Sequence, residues 1–102
     1  MLHFSGMSEE LKLRESRLEG IEKQVYELLK QRWPSHSLEV AAYLNEDVST
    51  RDHRRKASSK YMYYLRKLVK KELVLSKKVG HASIFWPLCI EKWRTIIDIL
   101  HQ

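Results

Sequence analysis

The sequence predicts a small, mostly helical domain with one β-hairpin, in the order α-α-α-β-β-α. Three observations lead to that reading. Apolar residues recur at helical spacing through most of the 102 residues. The period breaks once, in "LVLSKKVGHASIFWPL" (73–88), where β-branched and aromatic residues flank a Lys-Lys-Val-Gly turn. Three glycines and two prolines are few enough that each acts as punctuation. The length suits one domain with one core. A hydrophobic share of 43% is too high for a disordered chain.

The first helix begins after Ser8, with Glu9 and Glu10 suited to a helix N-terminus. Leu11, Leu18, Ile21, Val25 and Leu28 give it a seam that Arg14 interrupts, and Gly20 leaves open one helix or two. Pro34 stops it by Trp33. A second helix fits "SHSLEVAAYLN", capped by Ser35 or Ser37 and ended by Asn45. The third begins between residues 50 and 57, capped by Ser49 or Thr50, and lasts to about 72. At 100° per residue Ser58, Tyr61, Met62, Leu65, Leu68 and Val69 lie on its core side. Lys56, Ser59, Lys60, Tyr63, Arg66, Lys67, Lys70 and Lys71 lie opposite. Strands follow at 73–76 and 82–86, joined by a turn of Lys77, Lys78, Val79, Gly80 and His81. "CIEKWRTIIDILHQ" reads as a last helix with Ile90, Trp93, Ile96, Ile97 and Leu100 on one face.

The net charge of +6 is unevenly placed. Residues 51–78 hold eleven Lys/Arg against two acids, a net of +9, while the remainder holds eight against eleven, a net of −3. Such a field draws polyanions. A lysine-rich face kept for solubility is the plainer alternative, and the one-sided distribution weighs against it.

"SSKYMYYLRKLVKKELVLSKKVGHASIFW" (58–86) resembles the recognition helix, hairpin and wing of winged helix-turn-helix DNA-binding proteins. The resemblance spans roughly residues 18–88, leaving 1–17 as a helical extension and 89–102 as a C-terminal helix for packing or dimerisation. It departs from the family pattern in a longer segment between the second and third helices, and in Leu73 where a glycine is common. The resemblance implies a sequence-specific transcription regulator of double-stranded DNA. Its third helix would enter the major groove, with Ser59, Lys60, Tyr63, Arg66 and Lys67 toward base edges. Arg51, Arg54, Arg55, Lys56, Lys70, Lys77, Lys78, Gly80 and His81 would follow the backbone or form the wing. Short sites are commonly read by two-fold dimers, so a homodimer through the C-terminal helix is expected. A protein-interaction module and an RNA-binding adaptor are the competing readings of the same basic face.

Other classes find little support. The five histidines are scattered, Cys89 has no histidine at zinc spacing and no neighbouring base, and there is neither a P-loop nor G-x-G-x-x-G. The expectation is a non-enzyme with no cofactor, no metal and no small-molecule ligand. No apolar run reaches the roughly 20 residues of a membrane span. The start "MLHFSGMSEELK" is a poor secretory signal and the single cysteine suits a reducing compartment, so a cytoplasmic location is expected.

Overall fold

The computed structural model describes residues 5–90 and residue 100. Within them the chain is mostly helical with a two-stranded antiparallel hairpin. The elements are α1 (Ser5–Ser16), α2 (Gly20–Gln31), α3 (Ser37–Tyr43), α4 (Arg51–Lys70), β1 (Val74–Val79) and β2 (Ala82–Pro87).

The N-terminal helical stretch is two helices, and the chain is already helical at Ser5, ahead of the start expected after Ser8. Gly20 adopts a φ of +59°, a left-handed conformation that L side chains rarely enter, and the chain turns there from α1 into α2. Helix α1 is nevertheless part of the body. Leu11 and Leu18 are buried in the common core, and the Arg14 guanidinium donates to the Glu72 carbonyl at 3.2 Å, just past the end of α4. Along α2 the inward residues are Val25, Tyr26 and Leu29, with Ile21 and Leu28 at the margin.

Helix α3 is capped by His36, not by Ser35 or Ser37. His36 Nδ1 accepts from the Glu39 N–H at 3.2 Å, and the Glu39 carboxylate reaches back to the His36 N–H, which makes a capping box. Ser35 has a different task. It exchanges backbone hydrogen bonds with Phe85, N–H to O at 3.1 Å and O to N–H at 2.8 Å, so β2 is bordered by β1 on one side and this single residue on the other. Helix α3 ends as Asn45 predicts, with Asn45 left-handed at φ 64° and the Glu46 N–H closing on the Ala41 carbonyl at 3.0 Å.

Of the two expected caps of α4, Thr50 is the one used, its hydroxyl accepting from the His53 N–H at 3.1 Å. The helix then runs 20 residues, about 30 Å, and ends at Lys70. Its end repeats the α3 device. Glu72 is left-handed at φ 60°, and the Leu73 N–H bonds the Leu68 carbonyl at 3.1 Å. Leu73 is fully buried. The left-handed conformation falls one residue earlier, on Glu72.

The core face of α4 is Ala57, Tyr61, Leu65 and Leu68. Ser58, Met62 and Val69, placed by periodicity on that side, are half-buried at its margins. The hairpin turn is tighter than the sequence implied. Val79 pairs with Ala82, so only Gly80 and His81 form the loop, and Lys77 and Lys78 are strand residues. Gly80, at φ +63°, supplies the positive dihedral the two-residue turn needs. Phe85 fills the core from β2, whereas Trp33 is 40% exposed. Residues 88–90 begin a helical turn. Trp93, Ile96 and Ile97 lie outside the described residues. Ile90 is half-buried and Leu100 is 71% exposed.

Two variants check this account by urea denaturation. Leu68→Ala removes a fully buried side chain from the core face of α4 and should cost about 2–5 kcal/mol. Thr50→Ala should cost about 1 kcal/mol, with Thr50→Ser close to the native chain.

Candidate functional site

Burying Ala57, Tyr61, Leu65 and Leu68 leaves a second stripe of α4 facing outward: Arg55, Lys56, Ser59, Tyr63, Arg66 and Lys70. Tyr63 is 58% exposed and stands edge-on to Tyr64, with ring centroids 5.3 Å apart. Three shallow depressions adjoin this stripe and meet at Ser58. The first follows α4 past Ser59, Met62, Tyr63, Arg66, Lys67 and Lys70. The second lies toward the start of α4, between Leu38 and Arg51, Asp52, Arg54 and Arg55. The third lies between α4 and the hairpin, where Ser58, Met62 and Arg66 face Lys78, His81 and Ser83. They form one concave strip running from the N-terminal turn of α4 along the helix and across to the hairpin.

The strand register decides which hairpin cation faces it. Lys78 is paired with Ser83 and lines the strip with it. Lys77, one residue earlier, is paired with Ile84 and falls on the other face. Ser58 and Met62 were not among the residues expected at the site. Ser58 is held there by a 2.8 Å hydroxyl contact with Ser37, which ties the middle of α4 to the start of α3. Helical periodicity marks both as core-side, and only the neighbouring hairpin turns their margin into a groove floor.

The cations divide into two sets. Arg51, Arg54, Arg55, Lys56, Arg66, Lys70, Lys77 and Lys78 make no ion pair among the described residues. Lys60, Lys67 and Lys71 occupy one flank of α4 and are paired internally. Lys60 Nζ lies 2.7 Å from Glu46 Oε1, which also accepts from the Tyr61 hydroxyl at 3.0 Å. Lys67 lies 3.3 Å from Glu22 Oε2, and Lys71 pairs with the other oxygen of the same buried carboxylate. Lys67 also sits 5.3 Å from the centre of the Tyr63 ring.

The protonation equilibria follow this division. The hydrogen bond from Lys60, and then that from Tyr61, hold the Glu46 carboxyl below its ordinary 4.5. The bond to Glu46 raises Lys60, and the bond to Glu22 raises Lys67. Burial, then the bond to Glu46, raises Tyr61. The strip carries arginine and lysine side chains with hydroxyls, one exposed aromatic ring and the Met62 thioether between the charges. It can hold a polyanion, and its guanidinium groups can donate in pairs to phosphate oxygens or base edges. Among the described residues no cluster of His, Cys, Asp and Glu could hold a metal ion, and no helix is long and apolar enough to cross a membrane.

Comparison of the chain with protein-family models, with curated proteins and with solved structures finds no match.

A carboxyl whose folded value is depressed contributes stability above its unfolded value and loses it as pH falls through the folded one. The Glu46 contribution is thus complete above pH 4.5 and disappears in more acid solution. Carbon-detected NMR should find Glu46 titrating below ordinary glutamate, and Lys60→Met should move it upward. An unmoved midpoint means the pair does not form in solution.

Proposed function

We propose that the chain is a winged helix-turn-helix transcription regulator that binds double-stranded DNA sequence-specifically, with α4 in the major groove and the β1–β2 hairpin as the wing. The observation behind this reading is the continuous concave strip, in which unpaired cations of α4 run on to Lys78 and His81 of the hairpin. The order α2, Ser35 bridge, α3, α4, β1, β2 suits the winged layout. A helix fits the major groove, about 12 Å wide, and α4 is long enough to cross it and still reach backbone at both ends. Ser59, Tyr63 and Arg66 stand mid-stripe and are assigned to base edges, with Arg66 suited to a guanine. Arg51, Arg54, Arg55, Lys56, Lys70 and Lys78 are assigned to phosphates. A symmetric dimer through the C-terminal segment belongs to the same reading, and light scattering should give twice the 12.2 kDa chain mass.

Fluorescence anisotropy against duplex pools, single strands and folded RNA tests the proposal. Duplex should bind tightest, with log K falling against log salt at a slope of roughly −5 if about six phosphates are neutralised. Tyr63→Ala combined with Arg66→Ala should erase preference for a selected duplex and leave weak, salt-sensitive binding. Tighter binding to folded RNA, or a salt-independent affinity, would overturn the assignment.

A further inference from the structure

The paired flank of α4 has a consequence for that reading. Three of the eleven cations in residues 51–78 are already satisfied by the chain's own carboxylates. Those carboxylates are built in. Glu46 directly follows the left-handed Asn45 that ends α3, its N–H is fixed to Ala41, and its Oε1 also holds the Tyr61 hydroxyl. Glu22 projects from the first turn of α2 and is only 5% exposed.

We propose that Glu22 and Glu46 limit the sequence-independent part of nucleic-acid binding by holding Lys60, Lys67 and Lys71 in internal pairs that persist when a duplex is bound. The inference rests on the duplex-binding reading above. An ammonium held one-to-one by a carboxylate adds no net charge to the surface and releases no counterion, and the two ammoniums that share Glu22 leave one positive charge between them. Withdrawing the two lysines from Glu22 would leave a buried carboxylate uncompensated, which opposes their capture by phosphate. The Tyr61 hydroxyl fixes Glu46 where Lys60 meets it. What remains for a duplex is the stripe through Arg55, Ser59, Tyr63, Arg66 and Lys70. Lys60 and Lys67, prominent as base readers in the sequence, become positioning residues on its edge.

The test is a salt titration of random-duplex binding by the full chain and three variants. Glu46→Gln keeps an acceptor for Tyr61 and frees one lysine. Its log–log slope should steepen by about 0.9, which referred to 1 M salt is an affinity gain of about eightfold at 0.1 M. Glu22→Gln removes the one negative charge that Lys67 and Lys71 share, so the net charge rises by one and the slope should likewise steepen by about 0.9. Glu19→Gln removes the same charge from a residue with no ion pair among the described residues and should leave the slope unchanged. If the buried Glu22 variant fails to fold by circular dichroism, the partly exposed Glu46→Gln still decides. A Glu46→Gln slope equal to the native one, or a Glu19→Gln slope that steepens equally, overturns the inference while duplex binding stands. A native chain that binds no duplex at low salt overturns the duplex reading itself.

Discussion

The way α4 divides its circumference governs the molecule. Ala57, Tyr61, Leu65 and Leu68 pack into one core with Val25 and Leu29 of α2, Val40 of α3 and Phe85 of β2. Burial on that scale is worth several kcal/mol, more than any surface charge pair supplies, so the rotation of α4 about its axis is set by apolar area. Once it is set, every other side chain of the helix has an assigned direction. Arg55, Ser59, Tyr63, Arg66 and Lys70 face solvent because Leu65 and Leu68 do not. Lys60, Lys67 and Lys71 fall beside α2 and the α3–α4 connection because they lie a third of a turn further round.

Local backbone chemistry then decides what those side chains meet. Helices α3 and α4 end in the same arrangement, a left-handed residue followed by an N–H that returns to a carbonyl five residues back. At α3 the left-handed residue is Asn45, well suited to the conformation, and the next residue delivers a carboxylate to Lys60 and Tyr61. At α4 it is Glu72, for which the conformation costs roughly 1 kcal/mol or more. The compensation is that the chain reverses directly into Leu73 and Val74, both buried, and starts β1 alongside α4. The Leu88 N–H bonds the Leu73 carbonyl at 2.9 Å and closes the base of the hairpin. The groove between α4 and the hairpin is thus a by-product of how α4 stops.

Much of this was legible in the sequence because it is local. The helical period of Tyr61, Leu65 and Leu68, the stop at Pro34, the Asn45 terminus, the Thr50 option and the change of period after Leu73 each depend on neighbours a few residues apart. The failures are of another kind. His36 outcompetes two serines as the α3 cap because the Ser35 hydroxyl donates to the Arg32 carbonyl while its backbone is paired with Phe85, and the Ser37 hydroxyl meets that of Ser58, 21 residues away, which no capping preference contains. The turn shrinks to Gly80–His81 because the Ser35–Phe85 exchange and the buried Phe85 fix β2, and β1 pairs along its full length. The pairs made by Lys60, Lys67 and Lys71 join residues 14, 45 and 49 positions apart, so they leave no trace in spacing or in net charge.

That last failure qualifies how charge is read from sequence. The +9 of residues 51–78 is a sum over a segment, but a ligand meets a surface, and the two differ by whatever the fold neutralises. Here the neutralisation is selective. Among the described residues it sets two carboxylates against three cations on one flank of α4 and none against the outward stripe or the hairpin, so the remaining field is narrower and better aligned with the helix than the sequence suggests. Like charges held this close repel one another, and the fold carries that cost as reduced stability. An anion seated along the strip relieves it, so binding and folding are linked through the same residues. Charge on the outward stripe is therefore carried at the expense of stability, while charge on the paired flank ties α4 to α2 and to the α3–α4 connection. Which role a lysine of α4 takes depends on whether its position in the helical turn brings it to Glu22 or Glu46.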